Sequence, residues 1–190
     1  MEPELKQKVD SYLTTKFSAE RQKLHEEARL KASALPRRGV GNSAYSEFSD
    51  ERHVRIQAES VRALVLKRAE IHLEAYELYD VAPDEAIVAD ARMLLEAIVA
   101  ARSSAVAGQL SLEVMRNVRG SEHSKAIGTN FKRQLTIQTQ YTINEVICLM
   151  EKARVMHSKR REVPPSITIQ GANARVNINS VDTSHNEVKG

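Results

Sequence analysis

The sequence has no tryptophan, three phenylalanines and five tyrosines in 190 residues. Proteins that grip single-stranded nucleic acid by stacking its bases need a platform of aromatic rings, and no such platform is expected here. A single cysteine, Cys148, leaves no partner for an intramolecular disulfide and no thiolate zinc cage. Long apolar runs are also missing. The most apolar stretch, Met93 to Ala101, is interrupted by Glu96 and followed by Arg102, short of the roughly 20 residues that span a membrane. The first ten residues carry Glu2, Glu4 and Asp10 and no apolar run, so they do not read as a secretory signal. The cytoplasm is the expected compartment, with no membrane partner. No repeat of solenoid length is legible.

The residues present are 42% hydrophobic and 28% charged, the balance of an ordinary soluble protein. With so few rings, the core must come from Ala, Leu, Val and Ile, which favour closely packed helices. The expected fold is all-α: an antiparallel helical bundle with long helices and a short β-prone C-terminal tail. We divide the chain into an N-terminal helical segment at 1–34, a Pro/Gly loop at 35–48, a helical core at 49–162 and a flexible tail at 163–190.

Apolar spacing places the helices. Pro3 suits a first helical position, and Val9, Tyr12 and Leu13 share a face of the first segment; Ser18 is placed to cap a fresh helix within it. Ser49 or Asp50 caps a long helix over 49–80, whose stripe runs through Val54, Ala58, Val61, Leu64, Val65, Ile71, Ala75 and Leu78. The helix expected at 84–108 is apolar over most of its circumference, which puts it at the centre of a bundle or inside an oligomer. Gly108 is its expected stop, followed by a short helix at 111–119 and a break at Gly120. A long helix then covers 124–161. Within it, residues 134–144 alternate apolar and β-branched with polar residues, a strand pattern, yet no Gly or Pro interrupts them, so they are read as helix. Gln134, Gln138 and Asn144 would then set helix register as buried polar layers. Cys148 is read as a buried, inert thiol.

Beyond Pro164-Pro165, Ile167 and Ile169 alternate with polar residues, as do Val176 and Ile178. The pattern is that of a β-hairpin at 166–180 with these four residues available for strand pairing, marginal unless it docks on the bundle or on another chain. Its Ile169-Gln170-Gly171-Ala172-Asn173 stretch resembles amyloid-type assembly motifs with an Ile-Gln/Gly/Asn core. It departs from them because Gly171 follows Gln170 with no apolar residue between, and no residue role is carried across.

No catalytic constellation is legible. The six histidines do not form the Glu-x-x-His pairs of a di-iron bundle. His25-Glu26-Glu27-Ala28-Arg29 opens like a zinc-protease helix but has Arg29 where the second histidine would stand. No serine sits in a nucleophile elbow. Neither a metal nor another cofactor is expected, and the chain reads as non-enzymatic.

Charge is more informative. The formal net charge is +3, but residues 111–165 hold ten basic and five acidic residues while 1–80 balance at 14 each. Candidate phosphate contacts are Arg37 and Arg38 beside the glycines of the loop, and Lys132, Arg133, Lys159, Arg160 and Arg161. Candidate self-association residues are Ile87, Leu94, Ile98, Ile143, Val146 and Met150. The leading functional expectation is a helical interaction protein that self-associates through long amphipathic helices, as a homo-oligomer or with another protein. The alternative is a nucleic-acid-binding accessory protein that contacts phosphates.

Overall fold

All six elements in the computed structural model are helices; it describes residues 2–35, 44–116 and 120–162. They are α1 (Pro3–Ser33), α2 (Ala44–Ser49), α3 (Glu51–Leu78), α4 (Ala86–Met115), α5 (Ser121–Thr139) and α6 (Thr142–Glu162). The all-α class therefore holds. The Arg37–Arg38 pair and the β-prone tail with Ile167, Ile169, Val176 and Ile178 lie outside the described residues.

The central element is α3, against which all the others pack. Asp50 caps it, accepting a hydrogen bond from the Arg52 amide at 2.9 Å. Val61, Leu64, Val65, Ile71 and Ala75 on the expected stripe are wholly buried; Leu78, at its end, is 61% exposed. The helix stops in a Schellman turn: the Val81 amide reaches the Tyr76 carbonyl at 2.8 Å and the Asp80 amide that of Glu77. Asp80 holds the left-handed backbone this turn requires, φ 51°, a conformation that Asp tolerates better than most residues.

Cross-helix pairs give the directions. Tyr12 of α1 meets Glu74 while Phe17, five residues on, lies under the Arg68 guanidinium, which is 5.1 Å from the ring centre, so α1 runs antiparallel to α3. Tyr76–Asp84, Arg68–Asp90 and Ser60–Arg102 show that α4 does the same. The sense is opposite for α6: Arg62 pairs with Glu145 and Glu77 with Arg160, both at a separation of 83 residues. Since α5 lies beside the first half of α3, α5 and α6 follow one another along it in the same direction.

Several expectations are corrected. One helix continues through Gly108 to Met115 in place of a stop and a short second helix. Val106 and Leu110, one on each side of the glycine, are buried, and that burial outweighs the roughly 1 kcal/mol helix penalty of Gly. The helix expected at 124–161 is interrupted at Gln140 and Tyr141. The Thr136 and Thr139 hydroxyls there donate to the carbonyls of Lys132 and Leu135, the local competition by which Thr weakens a helix. Ser18 caps nothing; it lies inside α1 with its hydroxyl on the Thr14 carbonyl. The loop at 35–48 gives way to helix from Ala44. Gln138 and Asn144 are exposed and Gln134 is half-buried, so they form no buried polar layer. Cys148 is exposed, because the buried face of α6 passes through Val146 and Met150 instead.

Candidate functional site

The outer face of α4 is the feature for which packing among the described residues gives no account. From Ala97 to Leu112 the helix holds one charged residue, Arg102, and it turns inward. The Arg102 guanidinium donates to the Gln57 carbonyl at 2.9 Å and the Ser60 hydroxyl at 3.0 Å, and also to the Gln57 side chain. Burial holds its pKa below the usual arginine range. The face left to solvent carries no charge over those sixteen residues, about 24 Å of helix. Ala97, Ala100, Ala101, Ser104, Ala105, Gly108 and Leu112 are exposed on it, and Met93 and Met115 flank it at 65% and 71% exposure. By length and composition α4 qualifies as a membrane-spanning helix, yet only 11% of its most apolar stretch is buried. Small residues at four-residue intervals (Ala97, Ala101, Ala105; Ala100, Ser104, Gly108) let another backbone approach closely.

The opposite face is fixed to α3 by a polar seam. Both Asp90 oxygens accept from Arg68, at 2.7 and 2.9 Å. Tyr76 donates its hydroxyl to Asp84 at 3.1 Å, and burial with the nearby carboxylate pushes its pKa up. His72 stacks edge-on to Tyr76. Its buried Nδ1 has no hydrogen-bond partner among the described residues and lies 3.9 Å from an Asp90 oxygen that Arg68 already occupies. Burial holds the His72 pKa below the ordinary value, outweighing the attraction of Asp90. At that distance Asp90 does not orient the imidazole as a catalytic carboxylate would; the seam joins two helices.

The residues proposed for self-association fall elsewhere. Ile87, Val146 and Met150 are buried in the chain's own core, and Leu94, Ile98 and Ile143 pack against its buried clusters. The residues on the free face were missed, because an amphipathic reading ranks Leu and Ile above Ala, Ser and Gly. The signal that could have found them is the sixteen-residue stretch with one charge. Among the proposed phosphate contacts, Lys132, Arg133 and Lys159 are exposed. Arg160 instead pairs with Glu77 at 2.6 Å and Arg161 with Asp80 at 3.4 Å. Among the described residues no three His, Cys, Asp or Glu side chains form a group that could hold a metal ion.

No known protein family, curated protein or solved structure matches the chain.

Proposed function

We propose that this chain is a non-enzymatic helical interaction protein that self-associates through the outer face of α4. The observation that carries the reading is that face itself: a long, uncharged, solvent-exposed surface on a helix whose one central charge is turned inward. Water contact with so much apolar surface is unfavourable, and such patches mark interaction sites. Over the uncharged stretch of about 24 Å, a strip about 10 Å wide on each of two copies removes roughly 480 Å² from water, so a contact of the roughly 1,000 Å² at which specific interfaces begin would also take in neighbouring surface. The packing of every other described helix on α3 supports reading the helices as one bundle.

Sedimentation tests this. The chain is expected to self-associate at tens of micromolar, and Ala101→Glu and Ser104→Lys are each expected to yield monomers of unchanged helix content, since both sites are exposed. A wild-type chain that stays monomeric in that range refutes the reading.

The nucleic-acid reading has narrower support. Lys132 and Arg133 are exposed on α5 and pair with no carboxylate among the described residues. Phosphate contact through them predicts binding that weakens steeply with salt; no binding at low salt refutes it.

A further inference from the structure

The seam between α3 and α6 holds a groove of about 670 Å³, within the size range of small-molecule sites. Its construction follows from the parallel course of the two helices. Arg62–Glu145 and Glu77–Arg160 fix one register, which sets Lys152 level with Ala69, Met156 with Leu73 and Arg160 with Glu77. Leu73, Leu149, Ala153 and Met156 supply an apolar floor, on which Met156 is 51% exposed. At the far end the turn after α3 brings in Val81 and Pro83. Two ion pairs join α3 to α6 there, Glu77–Arg160 at 2.6 Å and Asp80–Arg161 at 3.4 Å. From Lys152 to Arg160 is about 12 Å of helix. The groove is therefore elongated, apolar along its length and stapled at one end.

Every carboxylate on the groove has a cation of its own. Glu70 pairs with Lys67, Glu74 with Lys16, Glu77 with Arg160 and Asp80 with Arg161. Arg160 and Arg161 are thereby occupied. Lys152 is the remaining lysine or arginine on the groove, and it makes no ion pair among the described residues. The uncompensated charge beside the apolar floor is thus a single positive one. A ligand that matches it has an apolar body and one negative group. A head of higher charge is disfavoured, because Glu70 and Glu77 line the same groove.

We propose that this groove binds a free single-chain carboxylate of medium length, its head at Lys152 and its tail running along Leu73, Ala153 and Met156 toward Val81. Burial of the tail supplies the affinity, and the lysine selects the head and sets the direction of the chain. No residue of the outer face of α4 lines the groove, so the site is separate from the surface assigned to self-association.

Decanoate is the probe, followed in the full-length chain by NMR of isotope-labelled methionine methyl groups; Met156→Leu identifies the Met156 signal. That signal is expected to shift saturably at submillimolar decanoate, while those of Met93 and Met115 on α4 stay in place. Decanol and decyltrimethylammonium keep the tail and change the head, and are expected to bind about fivefold more weakly, the upper worth of an exposed ion pair. Lys152→Ala is expected to weaken decanoate by the same factor and leave decanol unchanged. Lys152→Glu is expected to make the ammonium compound the tightest of the three. Ala153→Trp, which fills the floor, is expected to abolish binding of all three; Lys152 is exposed, so its variants keep the fold should the tryptophan disturb it. A Met156 signal that decanoate does not move overturns the proposal, and so do equal affinities for the three heads. Shifts confined to Met93 and Met115 also overturn it and assign the tail to the outer face of α4. A Met156 signal that moves when the protein alone is diluted overturns it as well and gives the groove to a second copy.

Discussion

Arg102 of α4 donates to the backbone carbonyl of Gln57 on α3 at 2.9 Å. Among the described residues the partners of this guanidinium are a carbonyl, an amide oxygen and a hydroxyl, with no carboxylate. A cation placed midway along the most apolar helix thus ties that helix to the centre of the fold and leaves its other side uncharged from Ala97 to Leu112.

Arg102→Ala is expected to cost about 2–3 kcal/mol, since hydrogen bonds from a charged donor are lost and the stem's packing goes with them. Arg102→Lys recovers less than half, because an ammonium cannot reproduce the planar fork that reaches Gln57 and Ser60 together. Urea unfolding of the three chains measures both; an unchanged midpoint for Arg102→Ala contradicts the account.

The Arg68–Asp90 pair is bidentate, with each side chain about a fifth exposed. A double-mutant cycle is expected to give a coupling of about 1–3 kcal/mol. The same cycle on Arg55–Glu59, an exposed i,i+4 pair, should yield under about 0.5 kcal/mol. Comparable couplings would show that the α3–α4 seam is not held by its partly buried charges.

Stability is expected to fall as the solution is acidified below about pH 6.5. Burial lowers the pKa values of His25, His53 and His72, so the unfolded chain binds protons that the folded chain resists. The stability they contribute is complete above the unfolded value of about 6.5 and is lost as pH falls through it toward the lower folded values. The largest single share should belong to His72, whose Nδ1 is buried without a hydrogen-bond partner among the described residues. In His72→Gln the loss between pH 7.5 and 5.5 should be smaller than in the parent chain, as read from thermal midpoints; an equal loss assigns the effect elsewhere.

Gly108→Ala is expected to stabilise the chain by about 0.5–1 kcal/mol. The glycine sits inside α4, and an added Cβ meets nothing within 4 Å. Measured at concentrations where the chain is monomeric, a destabilisation would mean that the helix breaks here after all.

The helical stripes of α1 and α3 were legible because both helices bury large residues at helical spacing, and a periodic pattern of Val, Leu and Ile survives whatever the neighbours are. Asp50 as a cap and the end of that helix near residue 80 were legible for the same local reasons. The ends of α4 and the break between α5 and α6 were not. Each depends on a contest between a weak local signal and tertiary burial: Gly108 lost to Val106 and Leu110, while the threonines around Gln140 prevailed. Apolar residues over most of the circumference of α4 led to the expectation of a central helix, but which side its own chain covers was decided only when α3 drew Arg102 inward. Charge followed the same division. The excess of basic residues at 111–165 is a property of the sequence, whereas the pairing of Arg160 with Glu77 and Arg161 with Asp80 arises because α6 lies parallel to α3 in a fixed register. Periodicity is a local property and can be read residue by residue. The choice of which apolar face and which cations remain free belongs to helix packing, which brings together residues as far apart as Glu77 and Arg160.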